Sequence, residues 1–196
     1  MKTILSVSIL FFMVIGANAQ RKTEFGITAG AGAILHKKIV REFGPEKGTT
    51  VNIGLFVLQP VFKKQFVQTG LFYNFENPKM DALYMDVNHN LPLNSVEIPV
   101  CLGWEFLPNF NVKTGVSALW LTSKNIKDDE VGFDWHLGLG YNLKWAEINL
   151  TYQQGFSNKE FEFWEKNEGW GIVYKRQVVK LTANIPLNFR KYSGLN

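Results

Sequence analysis

Phe133-Asp134-Trp135-His136-Leu137-Gly138-Leu139-Gly140-Tyr141-Asn142-Leu143 alternates large apolar residues with small or polar ones without a break. A β-strand sends successive side chains to opposite faces, so this stretch has one apolar face and one polar face. It is also about as long as a tilted strand must be to cross a bilayer. The same alternation recurs in Val96, Ile98, Val100, Leu102 and Trp104 against Glu97, Pro99, Cys101, Gly103 and Glu105. It returns in Val179, Leu181, Ala183, Ile185, Leu187 and Phe189 against Lys180, Thr182, Asn184, Pro186 and Asn188.

Period-two reading over the whole chain predicts strands at 24–35, 49–60, 64–75, 94–106, 110–122, 133–143, 145–155 and 177–189. Their number is even, as a closed up-and-down barrel of the outer-membrane type requires. The connections alternate. Short ones fall near Val61–Lys63, Leu107–Asn109 and Lys144, and long ones at 36–48, 76–93, 123–132 and 156–176. Short turns at one end and long loops at the other are the asymmetry of transmembrane barrels, with the turns periplasmic. The expected fold is therefore all-β: an eight-stranded antiparallel up-and-down transmembrane barrel.

Before the first strand lies a different kind of segment. Lys2, the apolar run Ile4–Ile15 and Ala17-Asn18-Ala19 have the form of a cleaved secretory signal peptide at 1–19, leaving a barrel domain at 20–196. The apolar run is too short for a membrane-spanning helix. Mean hydropathy is only −0.07, which does not count against a barrel, because alternating strands escape hydropathy scans. Aromatic residues make up 14% of the chain and need a surface to sit against. A net charge of +4 without a basic run gives no case for nucleic acid. The single cysteine, Cys101, excludes an intramolecular disulfide and reads as a small strand residue.

Two aromatic girdles are expected at the membrane–water boundaries. Phe25, Phe66, Trp104, Phe110, Trp145 and Phe189 belong to the turn side, and Tyr73, Phe75, Trp120, Phe133, Trp135 and Tyr152 to the loop side. The inward face carries glycines 26, 30, 32, 54, 70, 103, 115, 138 and 140 among polar residues, which suits a lumen only just filled by side chains. Pro99 and Pro186 remove ladder donors, so each is expected to mark a bulge.

The opening Phe25-Gly26-Ile27-Thr28-Ala29-Gly30 and the mid-chain Val96-Glu97-Ile98-Pro99-Val100 resemble the PorT-like outer-membrane β-barrel domain family of Bacteroidota. The resemblance extends over essentially the whole mature chain and implies an outer-membrane barrel of a diderm bacterium. The best-known member of that family is associated with a secretion and gliding system, a role not carried over to this chain.

Candidate site residues fall into two sets. Glu97, Glu105, Lys113, Asp134, His136, Glu147 and Lys180 point inward on this strand assignment and are expected to form a structural salt-bridge network plugging the lumen. The last long loop reads as a projecting hairpin: Lys159–Glu165 alternates, Lys166-Asn167-Glu168-Gly169 turns, and Trp170–Tyr174 returns. Its Phe161, Phe163, Trp164, Trp170 and Tyr174 are the candidate partner-binding surface.

Catalytic chemistry finds little support. His36, His89 and His136 are dispersed, giving no metal signature, and no cofactor motif is present. Ser95, Ser117, Ser123 and Ser157 have no histidine expected in a strand-compatible position. The sequence therefore points to a monomeric, non-catalytic barrel in contact with outer-membrane lipid, with a structural or partner-binding role. A soluble exported lipocalin-like barrel carrying an apolar ligand is the alternative, and it would place the apolar faces inside. A lipid-modifying outer-membrane enzyme is the second alternative.

Overall fold

The computed structural model of the chain describes residues 23–35, 37–38, 43–82, 89–90, 93–122, 131–156, 159–165 and 168–187. The expected signal peptide lies outside them. Eight long strands run in order: β1 (Glu24–Ile34), β2 (Phe43–Phe62), β3 (Gln65–Ala82), β4 (Leu93–Leu107), β5 (Phe110–Leu121), β6 (Val131–Asn142), β7 (Glu147–Gly155) and β8 (Gln177–Pro186). Each pairs antiparallel with its sequence neighbours, and β1 pairs β8, closing the sheet into a barrel with no free edge. Closure satisfies every strand laterally, which an apolar solvent demands of backbone groups.

The tight turns occupy 63–64, 108–109 and 143–146, all at one end of the barrel. At the second of these, Pro108 supplies a fixed φ and Asn109 adopts φ 66°, a left-handed position that asparagine tolerates. Two loops predicted at the other end are partly strand instead. β2 begins at Phe43 and β3 continues to Ala82, with Gly48 facing Pro78 and Phe43 facing Ala82. This extension lies past the alternating segment, where no lipid face requires apolar residues at every second position, so period two gave no sign of it.

The proline expectation was half right about the mechanism and wrong about the place. Register shifts occur at Pro45/Gly48, Pro60/Phe62 and Glu105/Leu107. Pro99 and Pro186 carry none. Pro186 pairs regularly with Gly26. At Pro99 the β3–β4 ladder lapses and then resumes in unchanged register.

The packing is inverted relative to a soluble barrel. Val51, Ile53, Leu55, Val100, Leu102, Leu137, Leu139, Leu150 and Leu181 face outward and are exposed. Thr28, Asn52, Asn74, Glu97, Asn111, Asp134, Asn149 and Lys180 face inward and are buried. From Phe133 to Tyr141 the exterior of β6 climbs about 20 Å along the axis at the usual rise and tilt, close to the ~25 Å apolar band of transmembrane barrels. The lipocalin-like alternative requires the opposite arrangement and is overturned by this one.

Aromatic rings gather at both ends of that band. Phe110 lies 4.8 Å from Tyr141 and 6.3 Å from Phe106 at the turn side. Tyr73–Phe75 at 4.7 Å and Trp135–Tyr152 at 5.3 Å mark the loop side. Phe66 does not join the turn-side girdle. It shares the inward parity of Gln68 and Phe72, is buried, and its ring fills the space left by Gly103 on the paired strand. Phe189 lies outside the described residues.

Candidate functional site

Because the inward residues of eight strands converge on one axis, side chains far apart in sequence meet in the lumen. They form two polar clusters at different levels. Near the turn end, Glu147 on β7 accepts hydrogen bonds from Asn111 Nδ2 (2.7 Å), Lys113 Nζ (2.6 Å), Asn149 Nδ2 (3.1 Å) and Asn184 Nδ2 (2.9 Å). Lys113 Nζ also donates to Gln68 Oε1 at 2.6 Å and lies 5.5 Å from the centre of the Phe66 ring. A buried carboxylate is tolerable only when paired and fully hydrogen-bonded, and this one is.

The second cluster occupies the loop end. Glu97 Oε2 accepts from Lys180 Nζ (3.1 Å) and Asn74 Nδ2 (2.9 Å), and its Oε1 accepts from Gln153 Nε2 (2.9 Å). Above it the guanidinium of Arg176 donates to both Glu76 and Asp134, and its Nη1 reaches Gln153 Oε1 at 3.4 Å. All of these side chains are buried. Ile34, Leu93, Leu119, Leu121 and Val178 turn inward at the same end and exclude water around the ion pairs.

Of the seven residues expected to line the lumen, the structure places Lys113 and Glu147 in the lower cluster and Glu97, Asp134, His136 and Lys180 in the upper one. Glu105 is half-buried at the turn-end mouth, where it lines one cavity with Glu24, Lys64, Asn111 and Glu147. Arg176 and Glu76 were not foreseen. Both were assigned to loops, although each continues the inward parity of a strand, 176-178-180 and 72-74-76. Following parity past the end of apolar alternation would have found them.

His136 corrects a second expectation. Its Nε2 lies 2.7 Å from Ser117 Oγ, so a serine–histidine pair does exist. Ser117 faces Asp134 across the β5–β6 ladder, and His136, two residues on, is its diagonal neighbour on the same face. The pair is nevertheless turned the wrong way for nucleophilic catalysis. Gln153 directs Oε1 toward Arg176 and Nε2 toward Glu97, which fixes its amide orientation. Nε2 then also donates to His136 Nδ1 at 3.2 Å, leaving the imidazole hydrogen on Nε2, where it is donated to Ser117. A general base needs that nitrogen free to accept. A fluorophosphonate probe is expected to leave Ser117 unlabelled in the folded protein. Stoichiometric labelling detected by mass spectrometry would revive the alternative of a lipid-modifying enzyme.

Among the described residues, no group of three or more His, Cys, Asp or Glu side chains is arranged to hold a metal ion, and no helix is long and apolar enough to cross a membrane. The predicted hairpin is present as backbone: Lys159–Glu165 pairs antiparallel with Glu168–Lys175, with Phe161 opposite Ile172 and Phe163 opposite Trp170. Lys37–Lys38 adds to the returning strand. The side chains of Phe161, Phe163, Trp164, Trp170 and Tyr174 lie outside the described part of the molecule.

The fold and the lumen together define a closed eight-stranded barrel with a lipid-type exterior and an ion-paired interior. No family model matches the chain, and no curated relative does. Among solved structures it is similar to the outer membrane protein OprG from Pseudomonas aeruginosa, at 14% identity and a TM-score of 0.45, over 84% of this chain and 91% of that one. It is also similar to the outer membrane protein AlkL in lipid bilayers, at 12% identity and 0.47, over 89% and 92%. The translocator domain of the autotransporter NalP from Neisseria meningitidis gives 9% identity and 0.34, over 94% and 97%. Each overlay is loose, so the membrane placement of this chain rests on its own exterior.

Proposed function

We propose that this chain is a monomeric, non-catalytic integral protein of the bacterial outer membrane, exported by the cleaved segment 1–19, whose barrel anchors its outer loops to face a protein partner. One observation carries this reading: an apolar exterior surrounds a lumen closed by buried ion pairs at two levels. The exterior fits lipid, and the closed lumen fits an anchor better than a pore. The hairpin Lys159–Glu165/Glu168–Lys175 belongs to a small sheet separate from the barrel sheet, in the connection between β7 and β8, and supports the docking part. The motifs Phe25–Gly30 and Val96–Val100 support a place among PorT-like barrels.

Membrane integration is tested by fractionation. The protein should resist carbonate extraction, run faster unboiled than boiled on a detergent gel, and give no steady conductance in a planar bilayer. Release by carbonate would overturn the membrane reading, and steady conductance would overturn the anchor. Deleting 159–174 should preserve the gel shift while abolishing recovery of a crosslinked partner from intact cells. Undiminished recovery would remove the docking role.

A further inference from the structure

We propose that Lys180 and Asn74 join covalently in the folded barrel, the lysine amine displacing ammonia from the asparagine amide while Glu97 moves the protons. The product is an isopeptide bond that crosses the lumen from β8 to β3 and forms once per chain. Three strands supply the parts. Asn74 and Glu97 are diagonal neighbours on the inner faces of β3 and β4, since Phe72 faces Glu97 and Asn74 faces Ser95. Lys180 reaches them from β8, 106 residues from Asn74. All three are buried, none more than 2% exposed.

The hydrogen bonds set out the reacting atoms. Lys180 Nζ donates to Asn74 Oδ1 at 2.8 Å, which holds the nitrogen against the carbonyl group it is to attack. Asn74 Nδ2, the leaving nitrogen, donates to Glu97 Oε2 at 2.9 Å and to Ser95 Oγ at 3.3 Å. Lys180 Nζ donates to that same Oε2 at 3.1 Å. One carboxylate oxygen therefore touches both the nucleophile and the leaving group. The other oxygen accepts from Gln153 Nε2 at 2.9 Å, which fixes the carboxylate. The lower cluster provides a contrast. Lys113 Nζ donates to Gln68 Oε1 and to Glu147 Oε2, each at 2.6 Å, but Glu147 takes its amide hydrogen bonds from Asn111, Asn149 and Asn184 rather than from Gln68. No carboxylate oxygen there serves both nitrogens of one exchange, so Lys113 and Gln68 should stay unjoined.

An ammonium has no lone pair, so the first step passes a proton from Nζ to Oε2 and frees the amine. The amine adds to Cγ, forming the Nζ–Cγ bond and moving the carbonyl electron pair onto Oδ1. Collapse restores the carbonyl and breaks the Cγ–Nδ2 bond, with Oε2 giving its proton to the departing nitrogen. Nζ loses two protons in all, one carried off in ammonia and one left on Glu97. Lys180 lines a cavity of about 60 Å³, ample for an ammonia molecule, which is the size of a water and needs about 10–15 Å³. The chain's single cysteine gives it no internal disulfide, and this bond would supply the missing covalent tie.

The test is peptide mass spectrometry on the full chain folded in detergent, with folding confirmed by the gel shift and a sample held in urea as the unfolded control. In the folded protein, tryptic peptide 65–79 should be recovered joined to 177–190, uncut after Lys180 and lighter than the two peptides together by one ammonia. The urea sample should yield 65–79 and 177–180 separately. Glu97→Gln keeps the shape of the side chain and removes the proton carrier, so joining should slow by about 10²–10⁴-fold. Separate recovery of the two peptides from folded parent protein would overturn the bond, whether or not the variant folds. Joining at the parent's rate in a folded Glu97→Gln protein would overturn the assigned chemistry. Equal joining of Lys113 to Gln68 would overturn it as well, since proximity alone would then suffice. A gel shift without joining leaves the membrane reading standing, so the two fail separately.

Discussion

Replacing Arg176 with methionine is expected to destabilise the barrel by about 3–5 kcal/mol, read as a lower urea midpoint for the protein folded in lipid vesicles. Arg176 is 1% exposed, and its guanidinium bridges Glu76 on β3 and Asp134 on β6, so it ties two non-adjacent strands across the mouth. Removing it takes the guanidinium away from two buried carboxylates. That uncompensated charge causes the loss, more than the missing contact does. Changing all three together, Arg176→Met with Glu76→Gln and Asp134→Asn, should recover most of the stability, because the cation and the two carboxylates it bridges are then removed as a set. A methionine variant as stable as the original would show that the mouth is wet and the ion pairs are incidental.

Leu137→Arg is expected to cost about 2–4 kcal/mol in a bilayer, the penalty for a cation near the midplane of a barrel's lipid face. Leu137 is 50% exposed and lies midway between the rim aromatics Phe133 and Tyr141. In water an arginine at so open a position would change stability by no more than about 0.5 kcal/mol. The size of the effect therefore reports which solvent the exterior meets. Leu187→Arg, immediately past the turn-side end of β8, should cost about 0–1 kcal/mol, since depth sets the penalty. Equal and small effects at both positions would contradict a lipid-facing exterior.

The hydrogen bonds in the upper cluster show how far period two can carry an interpretation. Alternation in 94–106 and 177–189 predicts that Glu97 and Lys180 face inward. It does not predict that they meet, because the pairing spans 83 residues and depends on how the closed barrel staggers its strands. The same limit applies to Ser117 and His136, 19 residues apart on different strands, which only the β5–β6 register makes diagonal neighbours. Phe66 was misplaced for a related reason. Its aromatic character suggested a girdle, whereas parity and the space at Gly103 send it inward.

What the chain's alternation and loop lengths determined alone was the strand count, the two faces of each strand, the end that carries the turns, and the closed barrel these imply. Each is local, since a side chain's face depends only on its place in its own strand. What only the tertiary structure decided was which inward residues share a level: Arg176 with Glu76 and Asp134, and Lys113 with Glu147. Those contacts depend on register and stagger around the closed sheet, which no single strand encodes.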